Sequence, residues 1–470
     1  MFMKRIAATF VLVLALTSTR AAQGQGVQTP PGPPTPQLQA LSQLRIRETS
    51  GTLFENVTKV LAERFVDREF RTKQLPALVE RYRGQAAAAT SLRDQRQVVH
   101  ELLSHIPASH LGLLSRQAHR TMMADLVQAP YPSFGFQAIG TGPDLYAGMI
   151  LEGGPAARAG LLTGDRLVTI DGTPVEESSR LDWRTDDAFI GDERDPAVRY
   201  VIASAGDRIA LRVERRPGEF VNVAVTAEEY TAFDAAEASV RVIRTGATSV
   251  GYLHFWYVHI AGVPDLITRA LEGRLKNVNA LVIDLRGRGG SASEVPRIVA
   301  VVDEYRKRTG RPVVALADRQ SRSGKDLLVY ELKQRGIRIV GEASAGAVIP
   351  ATFADVGHDS VLMFPSFRLP KYSDLLELKP VPPDVMVERA GVFAAGQDPI
   401  LDAGLEEARR LARLRGERRA PGKKQGSLPI LPPICDAPTP CLFLVVSVTT
   451  NSADSSAPAA WARRESSGDA

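Results

Sequence analysis

The sequence predicts an α/β protein built around a parallel sheet, and three apolar, strand-like segments support this prediction. They are residues 280–285, 312–317 and 337–342. Each segment ends in a turn of small residues, and helical patterns lie between them. Strands that alternate with helices in this way form parallel sheets. Active sites collect in the loops at the carboxyl ends of such strands, so function is expected in these three turns.

The turn after the second strand carries a candidate nucleophile. Ser323 and Gly324 lie where this turn meets the helical pattern of residues 325–332. A serine at a helix start has an exposed hydroxyl, and the first N–H groups of the helix point outward with the positive end of its dipole. Acyl transfer needs a nucleophile and such donors for an oxyanion. A serine here is also a common helix N-cap, and these residues alone leave both interpretations open.

Glycines cluster after the first of the three strands. They are Gly287, Gly289 and Gly290. Glycine lets a backbone approach a substrate closely, although glycines also simply form turns. The third strand leads into a similar turn with Gly346 and Ala347.

Length and composition are those of an ordinary globular protein with several domains. The chain has 470 residues, of which 44% are hydrophobic and 24% charged, and its net charge is +5. This length suggests two to four domains of about 150 residues each. The small charge and the lack of a basic stripe with interleaved aromatic residues exclude a nucleic-acid role. The sequence has no metal-ligand spacing, and we expect no cofactor.

Both ends of the chain differ from its centre. Residues 1–24 have the pattern of a signal peptide, with a basic pair, an apolar run and small residues for cleavage. The run is shorter than the ~20 residues of a membrane span, which favours export to the periplasm or the cell exterior over an uncleaved anchor. Residues 25–37 are expected to be a proline-rich linker. Residues 416–470 are expected to be mostly disordered, and the only cysteines, Cys435 and Cys441, can pair there.

Residues 38–126 have apolar positions at helical spacing and are predicted to form a helical N-terminal domain. Their last helical pattern stops at Pro107, which places Ser109 and His110 in a turn. Taken alone, these two residues are most simply polar turn residues.

Residues 128–230 are predicted to form a β-rich PDZ domain. Residues Phe134, Gly135 and Phe136 resemble the loop that binds a peptide carboxylate through backbone N–H groups. The small residues at 153–161 and the strand–turn pattern at 164–172 are characteristic of PDZ domains that accompany proteases. Such a domain binds an extended chain by adding it as a strand to a sheet edge. The charged insert at 175–195 is expected to be a loop. The alternative for residues 128–230 as a whole is a purely structural β-domain.

The order of several short motifs resembles the tail-specific, or carboxy-terminal processing, serine protease family. The motifs are Gly251-Tyr252-Leu253, Asp284-Leu285-Arg286 with Gly289-Gly290, Ser323, Gly341-Glu342 and Pro383-Asp384-Val385. The resemblance covers residues 40–412. It implies a crotonase-like α/β/α catalytic domain at 249–411, an inserted PDZ domain and an N-terminal helical cap. It also implies an exported endopeptidase that acts on proteins or peptides, with Ser323 as its nucleophile. Backbone N–H groups of Gly289 or Gly290 and of Gly324 would then hold the oxyanion.

One departure from the family pattern changes the expected base. Ala347 lies where the Ser-Lys branch has a lysine, and alanine has no proton acceptor. The tricorn-like branch takes its base from a Ser-His pair before the PDZ domain and adds a glutamate before the Pro-Asp motif. Ser109, His110 and Glu377 match those positions, so the resemblance implies His110 as the base, with Ser109 and Glu377 orienting it. His105 is the second choice.

Two further interpretations follow from the resemblance. Residues 291–294 imitate the Ser-Ala-Ser-Glu nucleophile motif of other family members, but they follow the wrong strand. We expect them to form an N-cap and a first helical turn.

Some relatives of this fold, the interphotoreceptor retinoid-binding proteins, carry lipophilic ligands. A catalytically inactive binder of peptides or lipophiles is therefore the alternative function.

Overall fold

The computed structural model describes residues 51–140, 144–182 and 198–419. The predicted signal peptide, the linker, most of the charged insert and the tail with Cys435 and Cys441 lie outside the described residues. Across the described segments, no helix is both long and apolar enough to cross a membrane.

A six-stranded sheet forms the centre of the second half of the chain. In spatial order its strands are β12 (Arg241–Thr245), β13 (Thr248–His254), β14 (Ala280–Asp284), β15 (Val313–Ala317), β16 (Arg338–Gly341) and β19 (Val385–Met386). β12 is antiparallel to β13, and every other neighbouring pair is parallel. The three predicted strands are confirmed as β14, β15 and β16, and the sheet begins at Arg241, ahead of the expected start at residue 249.

Helices cover both faces of this sheet. One face packs against α8 (Val263–Glu272), α9 (Val295–Thr309) and α10 (Gly324–Gln334), and the other against α12 (Pro399–Arg419). Every residue of β14 and β15 is buried because apolar side chains meet helices on both sides. This three-layer arrangement holds the carboxyl ends of the two strands side by side, so the turns that follow them meet.

The N-terminal helices share a core with strands that come much later in the chain. The helices are α1 (Leu53–Arg64), α2 (Arg68–Lys73), α3 (Leu75–Ala88) and α4 (Leu92–Ser104). They pack on a small sheet whose strands are, in spatial order, β1 (Gly112–Ser115), β18 (Ser360–Pro365) and β17 (Ala351–Gly357). In the chain, β1 leads directly into α5 (Arg116–Val127). The pairing of β1 with β18 brings the turn at residues 109–111 beside the loop that follows β16.

The PDZ region forms a further β-sheet with its own apolar core. Its strands are β3 (Phe136–Ile139), β4 (Tyr146–Ile150), β5 (Arg166–Ile170), β7 (Leu181–Asp182), β8 (Val198–Val201), β9 (Arg208–Arg216) and β10 (Glu219–Thr226). Their spatial order is β10-β9-β5-β4-β3-β8-β7, with β6 (Thr173–Pro174) paired to β5. The short elements are β2 (Pro132–Ser133), α6 (Pro155–Arg158), β11 (Glu228–Glu229), α7 (Ala232–Ser239), α11 (Tyr372–Leu376) and 3₁₀ turns at Val175–Glu177 and Ala292–Glu294. The insert expected as a loop therefore contains a 3₁₀ turn and β7.

Candidate active site

Ser323 lies between β15 and α10 in a strained backbone conformation, with φ 57° and ψ −123°. Such a conformation costs a residue other than glycine about 1–3 kcal/mol. It is held from both sides, since the Ser323 N–H donates to the Ala347 carbonyl at 2.7 Å and its own carbonyl accepts from the Leu327 N–H at 3.2 Å. The side chain makes no capping hydrogen bond, so Ser323 is not a side-chain N-cap. It lines a cavity instead.

The glycine turn after β14 packs directly against Ser323. A Cβ atom on Gly289 would lie 2.7 Å from the Ser323 Cβ, and one on Gly324 would lie 2.8 Å from the Gly290 carbonyl oxygen. Gly290 has φ 130°, and a Cβ there would overlap the backbone of Val258. Close approach, and not turn formation alone, therefore requires glycine here. The Gly324 N–H is among the first four of α10, which have no partner within the helix.

His110 precedes β1 and lines the same cavity as Ser323. Its φ is 52°, and its side chain is 5% exposed. The pKa of the imidazole is well below its ordinary value, first because the ring is buried and then because the guanidinium groups of Arg322 and Arg288 are near. The ring is consequently neutral at neutral pH, which is the state that accepts a proton.

A hydrogen-bonded chain fixes the tautomer of His110. The Ser109 hydroxyl donates to Glu377 Oε2 at 3.0 Å, and the Ser109 Oγ lies 3.0 Å from His110 Nδ1. Because the only hydroxyl hydrogen goes to the carboxylate, Oγ accepts from Nδ1–H. Nε2 of the neutral ring then carries no hydrogen and can accept one. The sequence-predicted Ser109, His110 and Glu377 are thus brought together, with the Ser109 hydroxyl between the imidazole and the carboxylate.

Glu377 is held by more than its bond to Ser109. Its carboxylate also accepts from the backbone N–H of Ser109 at 2.8 Å, and from those of Val348 and Ile349 at 3.0 Å each. Four donors on one carboxylate fix its position. Glu377 is therefore not a solvated surface carboxylate.

Ala347 lies at the centre of the loop after β16 and has only structural contacts. Its N–H and that of Gly346 donate to the Asp326 carboxylate at 2.9 Å each, and burial raises the pKa of Asp326 to about 6. The Ala347 carbonyl in turn binds the Ser323 N–H. Asp326 therefore helps to position the turn at Ser323, a role for which the sequence offered no signal.

Lys325 is a second residue that sequence reasoning missed. It is fully buried, and its Nζ donates to the carbonyls of Trp256 at 2.9 Å and Arg286 at 2.7 Å. Burial lowers the pKa of this amine to about 7. A pKa in that range would suit a base, but Lys325 does not line the cavity that contains Ser323. It ties the first turn of α10 to the loops that follow β13 and β14.

The cavity at Ser323 has a volume of about 300 Å³ and is mainly apolar. Its apolar lining includes Met122, Met123, Leu126, Tyr257, Ile260, Leu327, Val348, Phe353 and Met363. Arg288 and Arg322 add positive charge, and Gly289, Gly290 and Gly324 lie along the same wall. In the described part of the chain, no three His, Cys, Asp or Glu side chains are grouped as metal ligands.

Two other sequence candidates lie outside this arrangement. His105 is exposed, and its Nδ1 lies 2.8 Å from the Glu101 carbonyl oxygen, away from the cavity. Residues 291–294 begin as predicted, with Ser291 capping a 3₁₀ turn through a bond from the Ser293 N–H at 3.3 Å.

The predicted peptide-binding loop precedes β3. Phe134 and Phe136 are buried, and Gly135 has φ 75° and donates its N–H to the Ser133 hydroxyl at 2.9 Å. The structure differs from the expectation of an open strand-addition edge, because the outer edge of β3 is already paired with β8. Sequence alone could not show this, since the pairing joins segments some sixty residues apart.

Comparison with known proteins identifies one of the domains. The PDZ domain family matches residues 150–188, so the chain contains a PDZ domain on an α/β protein. The sequence is 26% identical over 280 residues to the chloroplastic C-terminal processing peptidase of Tetradesmus obliquus, covering 53% of this chain and 58% of that protein. The chain thus matches little more than half the length of that relative.

Two of the solved structures to which the chain is similar are proteases. One is the photosystem II D1 C-terminal processing protease, with 18% identity and a TM-score of 0.43, covering 74% of this chain and 97% of that one. The other is the tricorn protease, with 14% identity and a TM-score of 0.40, covering 77% of this chain and 36% of that one.

Proposed function

We propose that this protein is a serine-type endopeptidase of the tail-specific kind, with the tricorn-like base His110 in place of a lysine. The observation that carries this proposal is the chain from Glu377 through Ser109 to His110 Nδ1. It leaves Nε2 as the proton acceptor of a ring that lines the same cavity as Ser323. The crotonase-like character of the catalytic fold is part of the same proposal.

The geometry supports a two-step acyl transfer. Ser323 Oγ attacks the scissile carbonyl while His110 Nε2 takes its proton, and the imidazolium then gives that proton to the leaving amine. The N–H groups of Gly324 and of Gly289 or Gly290 hold the oxyanion. A water molecule, deprotonated by the same nitrogen, hydrolyses the acyl-enzyme. The Glu377 carboxylate, acting through Ser109, stabilises the imidazolium that each step forms.

A chemical label tests the proposal directly. A fluorophosphonate probe should react with Ser323 in the full chain, and peptide mapping should find the adduct on that residue. Labelling of another serine would overturn the assignment.

The apolar lining of the cavity favours a second candidate function, the binding of a lipophilic ligand without catalysis. In that case the probe would leave Ser323 unmodified. A fluorescent fatty acid would instead bind in the cavity, and Leu327→Arg would abolish its binding.

Glu377→Gln is expected to lower kcat for peptide hydrolysis by roughly 10²-fold, less than loss of the nucleophile or the base. The amide keeps an acceptor oxygen but removes the charge that stabilises the imidazolium. Steady-state kinetics on an unfolded peptide substrate measures the effect. The matched control is Glu388→Gln, an exposed carboxylate in the same region, which should keep parental kcat. Parental kcat in Glu377→Gln would contradict the orienting role.

We propose further that the PDZ domain recruits substrates by their free, apolar C-termini, through the loop of Phe134, Gly135 and Phe136. Peptides with a free carboxylate should then bind the full chain more tightly than their amidated forms by about tenfold or more, since a charge-assisted hydrogen bond is lost. Fluorescence anisotropy with the two peptides measures this, and equal affinities would disprove recruitment by C-termini.

Export is proposed from the signal-like pattern of residues 1–24. Expression in a bacterial host should yield a periplasmic or secreted product that lacks these residues. Recovery of the uncut chain in the cytoplasm would contradict export.

A further inference from the structure

The outer edge of β3 is occupied by a strand of the same chain. β8 pairs with β3 antiparallel, with Gln137 opposite Tyr200, Ala138 opposite Arg199 and Ile139 opposite Val198. β3 follows directly on the predicted carboxylate loop at residues 134–136. The register therefore directs β8 toward this loop, and its last residue, Val201, lines a small cavity together with Phe136.

On the outer edge of β3, β8 occupies the position that a PDZ ligand would take. A peptide that adds to the β3 edge with its C-terminus at the loop must also run antiparallel to β3 and toward the loop. It would need the same backbone N–H and C=O groups that β8 now uses. One edge of a strand pairs with one partner, so β8 and a substrate C-terminus exclude each other.

β8 also contacts the wall of the candidate active site. Tyr200 is 7% exposed and packs in a cluster with Leu114, Ala118, Val361 and Met363. Met363 and two neighbours of this cluster, Met122 and Phe353, line the cavity at Ser323. On its other side β8 pairs with β7, whose Asp182 accepts a hydrogen bond from the Ser115 hydroxyl at the start of α5.

We propose that β8 is an intramolecular ligand of the PDZ domain, and that a substrate with an extended, apolar C-terminus binds by displacing it. This inference rests on the proposed recruitment of C-termini and adds its competitor. Displacement withdraws Tyr200 from the cluster that supports the cavity wall, so occupation of the PDZ edge and the shape of the active site are coupled. The apparent affinity for a peptide is its intrinsic affinity multiplied by the fraction of molecules in which β8 has left the edge.

A disulfide between β3 and β8 tests the competition. Ile139 and Val198 are directly opposite, and such pairs in antiparallel strands have Cα atoms about 4.5–5.5 Å apart, within the range of a disulfide. The variant Ile139→Cys/Val198→Cys is made in the full chain with Cys435→Ser and Cys441→Ser. The probe is a fluorescent decapeptide that ends in the β8 sequence Val-Arg-Tyr-Val with a free carboxylate. The oxidised protein is expected to bind it about 100-fold more weakly than the reduced protein.

A second variant frees the edge. Tyr200→Ala removes the buried anchor of β8, so it should bind the same peptide about tenfold or more tightly than the parental chain. Equal binding by the oxidised and reduced forms would overturn the proposal, as would failure of Tyr200→Ala to bind the peptide at all. Fluorophosphonate labelling of Ser323 is measured in parallel on each protein. Retained labelling without peptide binding refutes the β8 proposal and leaves the catalytic assignment standing.

Discussion

Replacing Ser323 by alanine is expected to lower kcat for peptide hydrolysis by about 10⁴-fold or more while the protein stays folded. The hydroxyl makes no capping hydrogen bond, so its removal costs no interaction of that kind. Its loss does remove the atom that attacks the scissile carbonyl. Hydrolysis of casein and of a fluorogenic peptide measures kcat, and circular dichroism monitors the fold.

A glycine at the same position separates catalysis from strain. Ser323→Gly should be as inactive as the alanine variant, but its free energy of unfolding should be higher than that of Ser323→Ala by about 1 kcal/mol. Glycine adopts φ 57° and ψ −123° without the steric cost that alanine and serine bear. Parental hydrolysis by either variant would show that Ser323 is not the nucleophile.

The sequence predicts the parts of this site that depend on local pattern. An apolar strand, a small-residue turn and a helical pattern place Ser323 at the edge of a parallel sheet, and β15 and α10 have that order. Pro107 ends a helix, so Ser109 and His110 fall in a turn. These assignments need only the backbone properties of a few consecutive residues.

Contacts between distant segments could not be predicted in the same way. Glu377 and Ser109 are 268 residues apart, and their contact depends on the loops after β16 and before β1 meeting. The resemblance to the protease family points to both residues, but it carries no information on the distance between their side chains. The β3–β8 pairing was missed because a charged, irregular insert separates β8 from the rest of the PDZ pattern. Lys325 was missed because a lysine in the first turn of a helix is ordinarily solvated, whereas here two backbone carbonyls bind it in the interior.

His110→Ala is the prediction that separates the proposed base from a lysine. The substitution should lower kcat by about 10⁴-fold or more, because none of the other described residues that line the cavity has a side chain able to replace Nε2. The matched control is His105→Ala, which removes an exposed imidazole outside the cavity and should keep parental kcat. If His110→Ala stayed active, the tricorn-like assignment would be wrong and the binding protein would become the better hypothesis.

The pH dependence of the parental enzyme gives an independent test of the same residue. A base must be neutral, so kcat/KM should rise with pH through the pKa of His110 in the free enzyme. Burial, and then the charges of Arg322 and Arg288, lower this pKa well below its ordinary value of 6.5, so the rise should lie on the acid side of pH 6.5. A lysine base would place the rise at about pH 7–8. Arg322→Gln removes one of the nearby positive charges, which makes the imidazolium less unfavourable and should move the rise to higher pH. A rise that stays at the same pH in Arg322→Gln, or that lies above pH 7 in the parental enzyme, would show that another group accepts the proton.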